Sequence, residues 1–179
     1  QDVNFPSNML YAGMLRAAGQ LYGDNALRAQ AETVLETVRD MAYDGTFFID
    51  NAIRGEDGKL HLTRNRTETC QYYAFYFQAA TPDTHSDLWK RLITEFGPHR
   101  TELGLWPEIP PSNAFIGNYL RLDLLASHGL HPQCLEETKG YFEYMADTTG
   151  TLWEHKNTEA SCNHGFASYY IYLLKQIMK

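Results

Sequence analysis

The sequence predicts an all-α fold of helical hairpins that form part of an (α/α)6 toroid. Three observations carry this prediction. Apolar residues recur at helical steps along most of the chain, the connections between helices alternate between short and long, and the helices alternate between apolar and charged. A closed toroid of six hairpins needs more helices than this chain encodes. The chain is therefore expected to be one domain, residues 1–179, forming the C-terminal portion of a barrel, with the missing material on the N-terminal side. An α-solenoid of helix pairs shares the local pattern and is the alternative architecture.

The elements follow in order. From Pro6 to Tyr22 the residues Met9, Leu10, Gly13, Met14, Ala17 and Leu21 fall on one helix face, and Gly23 followed by Asp24 supplies a stop and then an N-cap. A second helix spans about 25–43, with Ala31, Val34, Leu35, Val38 and Ala42 as its apolar stripe and Arg28, Glu32, Glu36 and Arg39 as its wet face. A third begins near Thr67 and is apolar for most of its circumference through Ala80. Pro82-Asp83 punctuates, and a fourth helix runs to about Phe96. A fifth spans about 113–127 and closes on His128-Gly129, a sixth spans about 132–146, and a seventh begins near Asn163. Residues 46–49 and 60–62 flank the turn signal Glu56-Asp57-Gly58 and are the expected arms of a small hairpin or β-bridge.

Composition narrows the function. The chain is acidic, with net charge −7 from 15 Lys+Arg against 22 Asp+Glu, and has no basic stripe, which argues against nucleic acid and anionic membranes as partners. It holds no apolar run of about 18 residues, so no membrane span is expected. The first residues lack the charged-then-apolar pattern of a signal peptide and do not begin with Met, so processing or a longer parent chain is expected. Cys70, Cys134 and Cys162 are scattered without metal-site spacing, the histidines are dispersed, and no Gly-rich phosphate loop occurs; neither a cofactor nor a metal is expected. Asn65-Arg66-Thr67 matches the glycosylation sequon, a pattern common by chance.

The long connections, about 44–66, 97–112 and 147–162, carry the chemistry-bearing residues. Loops beyond about 12–15 residues are usually functional, and antiparallel hairpins place alternate loops at one end. The first contributes Asp50, Asn51 and Arg54, with Glu68 just beyond it. The second contributes Trp106 and Glu108, and the third Trp153 and Glu154, with His164 following. Carboxylates beside aromatic rings suit carbohydrate chemistry: glycoside hydrolysis uses two carboxyl groups, and aromatic faces pack on the C–H faces of sugars. Each residue also has a structural alternative. Asp50-Asn51 is a good turn or cap pair, Thr67-Glu68 reads equally as an N-cap with a first-turn carboxylate, Glu154 as a solvated or capping group, and His164 as a core histidine.

A family resemblance rests on these stretches. Gly150-Thr151-Leu152-Trp153-Glu154, followed by Ser161-Cys162-Asn163-His164-Gly165-Phe166-Ala167-Ser168, resembles the end of the catalytic domain of α-L-rhamnosidases. Ser112-Asn113-Ala114-Phe115-Ile116-Gly117 resembles that family's inner-helix start, and Phe48 to Arg54 with Thr67 to Ala74 resembles a related subgroup. The resemblance implies an (α/α)6 barrel, inversion at the anomeric carbon, a terminal α-linked deoxy-sugar substrate, and a periplasmic or secreted location. It implies that Glu154 is the general base, that His164 holds the sugar, and that Trp153 forms part of the subsite wall. The family's general acid lies in an upstream acidic motif that this chain does not match. Asp50, Asn51, Arg54, Glu68, Trp106 and Glu108 are assigned to substrate binding, and the partner is expected to be the N-terminal half of the barrel or a second copy of the chain.

Overall fold

Side-chain caps start the first three helices in the computed structural model, which describes residues 2–178. Among these residues are seven α-helices and a three-stranded antiparallel sheet. They divide into two compact units, Gln1–Arg91 with Glu108–Pro110 and Leu92–Pro107 with Pro111–Lys179.

In the first unit, helix α1 (Phe5–Leu21) starts where the Asn4 side chain accepts from Ser7 N at 2.9 Å. Helix α2 (Asn25–Ala42) starts on Asp24, whose Oδ1 accepts from Ala26 N at 2.8 Å. The stripe expected on α2 is the one that packs: Ala31, Leu35, Val38 and Ala42 are buried. On α1 the buried face is rotated from the expected stripe. Phe5, Met9, Ala12 and Gly19 go inside, whereas Leu10, Met14 and Leu21 are exposed. Close approach of the two helices explains the difference. A Cβ on Gly19 would lie 2.8 Å from the Asp24 carbonyl oxygen, so towards the α1–α2 turn only a residue without a side chain fits the buried position.

The sheet orders β1 (Val3–Asn4), β2 (Asn51–Arg54) and β3 (Leu60–Leu62), with Ala52 opposite both Val3 and Leu62. The hairpin forms around the expected turn, but its first arm starts at Asn51 rather than within 46–49. The cause is a side chain. Gln71 satisfies the Phe48 backbone from both sides: its Oε1 accepts from Phe48 N at 2.8 Å and its Nε2 donates to Phe48 O at 2.9 Å. Phe47, Phe48 and Ile49 are consecutively buried, a core segment rather than an alternating strand. Helix α3 (Glu68–Tyr76) is capped by Thr67 and ends four residues before the expected Ala80, because Gln78 turns left-handed (φ 64°). Helix α4 (Ser86–Glu95) begins in this unit and ends in the next.

The second unit contains α5 (Phe115–Ser127), α6 (His131–Thr149), a 3-10 turn (Gly165–Ser168) and α7 (Tyr169–Ile177). Its core joins Leu122 and Leu125 of α5, Tyr141, Phe142 and Met145 of α6, Leu173 of α7 and the loop residue Trp153. Helix α6 runs three residues past the expected Ala146, to a left-handed Gly150 that donates to Ala146 O at 2.8 Å. The seventh helix opens with the 3-10 turn instead of a full α-turn. Inside this unit Arg121, 2% exposed, forms a two-pronged pair with Glu137, its Nη2 donating to Oε1 at 2.7 Å. Arg121 also donates to the carbonyls of Leu92 (2.7 Å) and Phe96 (3.1 Å), so its buried charge is paired and hydrogen-bonded. No described helix is long and apolar enough to cross a membrane.

Candidate active site

In the second unit, the loop after α6 folds back on itself. Glu154 N donates to Ser161 O at 2.8 Å and His164 N to Leu152 O at 2.9 Å, which draws the two ends of the segment together. The start of α5 fixes the same loop: Phe115 N donates to Glu154 O at 3.0 Å and Lys156 N to Asn113 O at 2.9 Å. Adjacent side chains then take opposite sides. Trp153 is 4% exposed, donates through Nε1 to Thr149 Oγ1 at 2.7 Å and packs edge-on against Tyr144. Its ring lies in the core behind the loop, not on a solvent-facing wall. Glu154, anchored by that neighbour, keeps a side chain that is 35% exposed.

The Glu154 carboxylate oxygen lies 3.7 Å from His164 Nδ1. Two polar atoms at that separation can share one water or sugar hydroxyl lying about 2.8 Å from each. The imidazole is packed against Phe115, with ring centroids 4.6 Å apart, and its Nε2 is buried without a hydrogen-bond partner. Trp106 also belongs to this unit. Its backbone is left-handed (φ 49°), its Nε1 donates to Glu95 Oε2 at 2.6 Å, and its carbonyl accepts from Arg100 at 2.8 Å.

In the first unit, a pocket of about 350 Å³ is lined by Asp50, Arg64, Asn65, Arg66, Thr67 and Glu108. Asp50 is oriented by Thr67, whose backbone N and hydroxyl both donate to Asp50 Oδ1 at 3.0 Å. Arg66 pairs with Asp44, and the exposed Glu108 reaches the pocket rim. The other expected residues of this unit stand elsewhere. Asn51 is buried, and its Oδ1 accepts from Thr63 Oγ1 and Asn65 Nδ2, both at 3.0 Å, so it ties the loop together. Arg54 sits on the exposed hairpin and donates to Gly58 O at 2.6 Å. Glu68 is buried and accepts from the Tyr72 hydroxyl. Cys70, beneath Asp50, has its thiol pushed well up by burial and then by the Asp50 charge, which keeps it neutral and unreactive.

The structure thus brings Glu154 and His164 together in one unit, and Asp50 and Glu108 in the other. Arg64 and Arg66 on the pocket, and the exposed Phe166 beside His164, were not singled out by sequence as binding residues. Two arginines flanking Asn65, and a Phe two residues after His164, were the available signals.

No family model matches the chain, and no curated protein matches it. Among solved structures, the GH78 family rhamnosidase of Bacillus sp. GL1 superposes with a TM-score of 0.75 over 97% of this chain, at 17% identity. The chain has an α-L-rhamnosidase-like fold. It spans 19% of the length of that rhamnosidase, and the helical hairpins are those of an α/α toroid. At this identity the likeness is one of fold.

Proposed function

We propose that this chain contributes the general-base side of an inverting glycoside hydrolase that removes terminal α-linked deoxy-sugar residues. The observation that carries the proposal is the Glu154–His164 pair, 3.7 Å apart on a loop built for presenting it, within a rhamnosidase-like fold. Glu154 accepts a proton from a water held between it and His164. That water attacks the anomeric carbon on the face opposite the leaving oxygen, and the glycosidic C–O bond breaks with inversion. A second carboxyl group protonates the leaving oxygen. Because no segment here matches the family's acid motif, that group is assigned to residues outside this sequence, in the remainder of the barrel or a second copy of the chain. The exposed Leu10, Met14 and Leu21 of α1 are the surface offered for such a partner. A periplasmic or secreted location belongs to the same proposal and rests on the resemblance alone.

The test is to follow hydrolysis of 4-nitrophenyl α-L-rhamnoside by the natural polypeptide with proton NMR. β-L-Rhamnose as the first product is expected; α-L-rhamnose first, or no hydrolysis, contradicts the proposal. The missing acid motif favours one other function, a non-catalytic helical domain that binds a carbohydrate or a protein. Glycan binding in titration with no sugar released distinguishes it.

A further inference from the structure

Two arginines line the pocket of the first unit beside Asp50 and Glu108. Arg64 is exposed, and its side chain has no hydrogen-bond or ion-pair partner among the described residues. Arg66 is held by Asp44, which is itself fixed by accepting from Thr46 N and Phe47 N, both at 2.9 Å. The Nε of Arg66 is buried without a hydrogen-bond partner. Charge of the opposite sign stands in the same pocket. Thr67 pins Asp50 through Oδ1, and Glu108 comes in on a segment whose Pro110 carbonyl accepts from Glu68 N at 3.1 Å. Asp50 N donates to Asn65 O at 2.8 Å, so the residue between the two arginines is tied to the Asp50 backbone. The positions of both charge types are thus set by the fold before any ligand arrives.

This lining is selective. A guanidinium offers a planar fork of donors that matches a carboxylate. The carboxylates of Asp50 and Glu108 only accept, so they reward hydroxyl donors and repel a ligand with anionic oxygens on every side. The chain carries net charge −7, so no general field draws anions here and the attraction comes from the two arginines. A volume of about 350 Å³ is at the small end of ligand pockets and suits one sugar-sized molecule. We propose that this pocket binds a sugar acid, with its carboxylate on Arg64 and Arg66 and its hydroxyls on Asp50 and Glu108. The site belongs to the first unit alone and does not rest on the hydrolase role of Glu154.

The experiment is an NMR titration of the natural polypeptide and its Arg64→Gln variant with D-glucuronate. D-Glucose serves as the neutral counterpart and inorganic phosphate as the plain anion. Glucuronate is expected to shift the amide signals of residues 64–67 and 108, and to bind about tenfold more tightly than glucose or phosphate. Arg64→Gln is expected to weaken glucuronate about tenfold and to leave glucose unchanged. The variant's thermal midpoint should match the parent's, because the side chain is exposed. Equal binding of glucuronate and glucose overturns the proposal. Phosphate bound as tightly as glucuronate reduces the pocket to a general anion site and overturns the sugar acid. Glucuronate binding that survives Arg64→Gln undiminished, shifts confined to other residues, or no binding at all also overturn it. Should the variant unfold, the parent's preference for glucuronate over glucose and the location of the shifts still decide. Hydrolysis plays no part in these readings, so the site and the proposed catalysis stand or fall separately.

Discussion

Glu154 and His164 stand 3.7 Å apart because the backbone of each is pinned to the other's side of one loop, Glu154 to Ser161 and His164 to Leu152. The pairing of their side chains is thus a consequence of main-chain closure and does not depend on their mutual attraction. The two roles of His164, packing and polar contact, can then be separated. His164→Phe keeps a ring against Phe115 and removes a buried, unpartnered nitrogen, whose burial costs about 1–3 kcal/mol. Chemical denaturation is expected to show stability equal to or above the parent, while kcat/KM on an aryl rhamnoside falls. Stability lost together with activity would assign His164 a structural role only.

Trp153 supports the loop from the core. Trp153→Ala is expected to cost about 3–5 kcal/mol of stability by leaving a cavity. Trp153→Phe, which retains most of the ring, should lose far less and leave KM near the parent value. A large rise in KM for Trp153→Phe without loss of stability would place the indole on the substrate instead.

The Arg121–Glu137 pair provides a test of the second unit's interior. Arg121→Met strands a buried carboxylate and is expected to cost about 3–5 kcal/mol in urea denaturation. Adding Glu137→Leu removes the stranded charge and should recover most of that loss. Additive losses in the double variant would contradict the coupling.

Cys134 gives the molecule an alkaline limit. Burial, then the charges of Glu137 and Asp123, push its thiol from the ordinary 9.0 up to about 11. Between these values the unfolded chain has released the proton and the folded chain still holds it, so the unfolded state binds fewer protons. Stability is fully present below pH 9 and falls across this window by about 1.4 kcal/mol per pH unit, levelling off above the folded value. Subtracting the stability profile of Cys134→Ala should isolate that slope. Parallel profiles from pH 8 to 11 would contradict it.

How far the sequence reveals this protein depends on the kind of signal. Caps at Asp24 and Thr67 and the α2 stripe are local, and the structure follows them closely, whereas the Asn4 cap of α1 was not singled out. The α1 face was misjudged because hydrophobicity ranks Leu10 and Met14 above Ala12 and Gly19, whereas close helix packing selects by size. The strand start at Asn51 depended on Gln71, a residue twenty positions away, satisfying the Phe48 backbone, which no local pattern announces. At the candidate site the Trp-Glu dipeptide marked two adjacent site residues, with Trp153 expected on the subsite wall, but not that the Trp faces inward and only Glu154 is presented. Asn51 is a polar residue whose partners Thr63 and Asn65 come from across the hairpin, so its burial was invisible in the sequence, whereas Glu68 pairs with Tyr72 one helical turn on.

The most direct test of the proposed chemistry is the turnover of Glu154→Gln on 4-nitrophenyl α-L-rhamnoside, measured beside the natural polypeptide at matched thermal stability. The amide keeps the size of the carboxylate and cannot take the water's proton, so kcat is expected to fall by about 10²–10⁴-fold. A kcat within a factor of two of the parent would contradict a general-base role for Glu154.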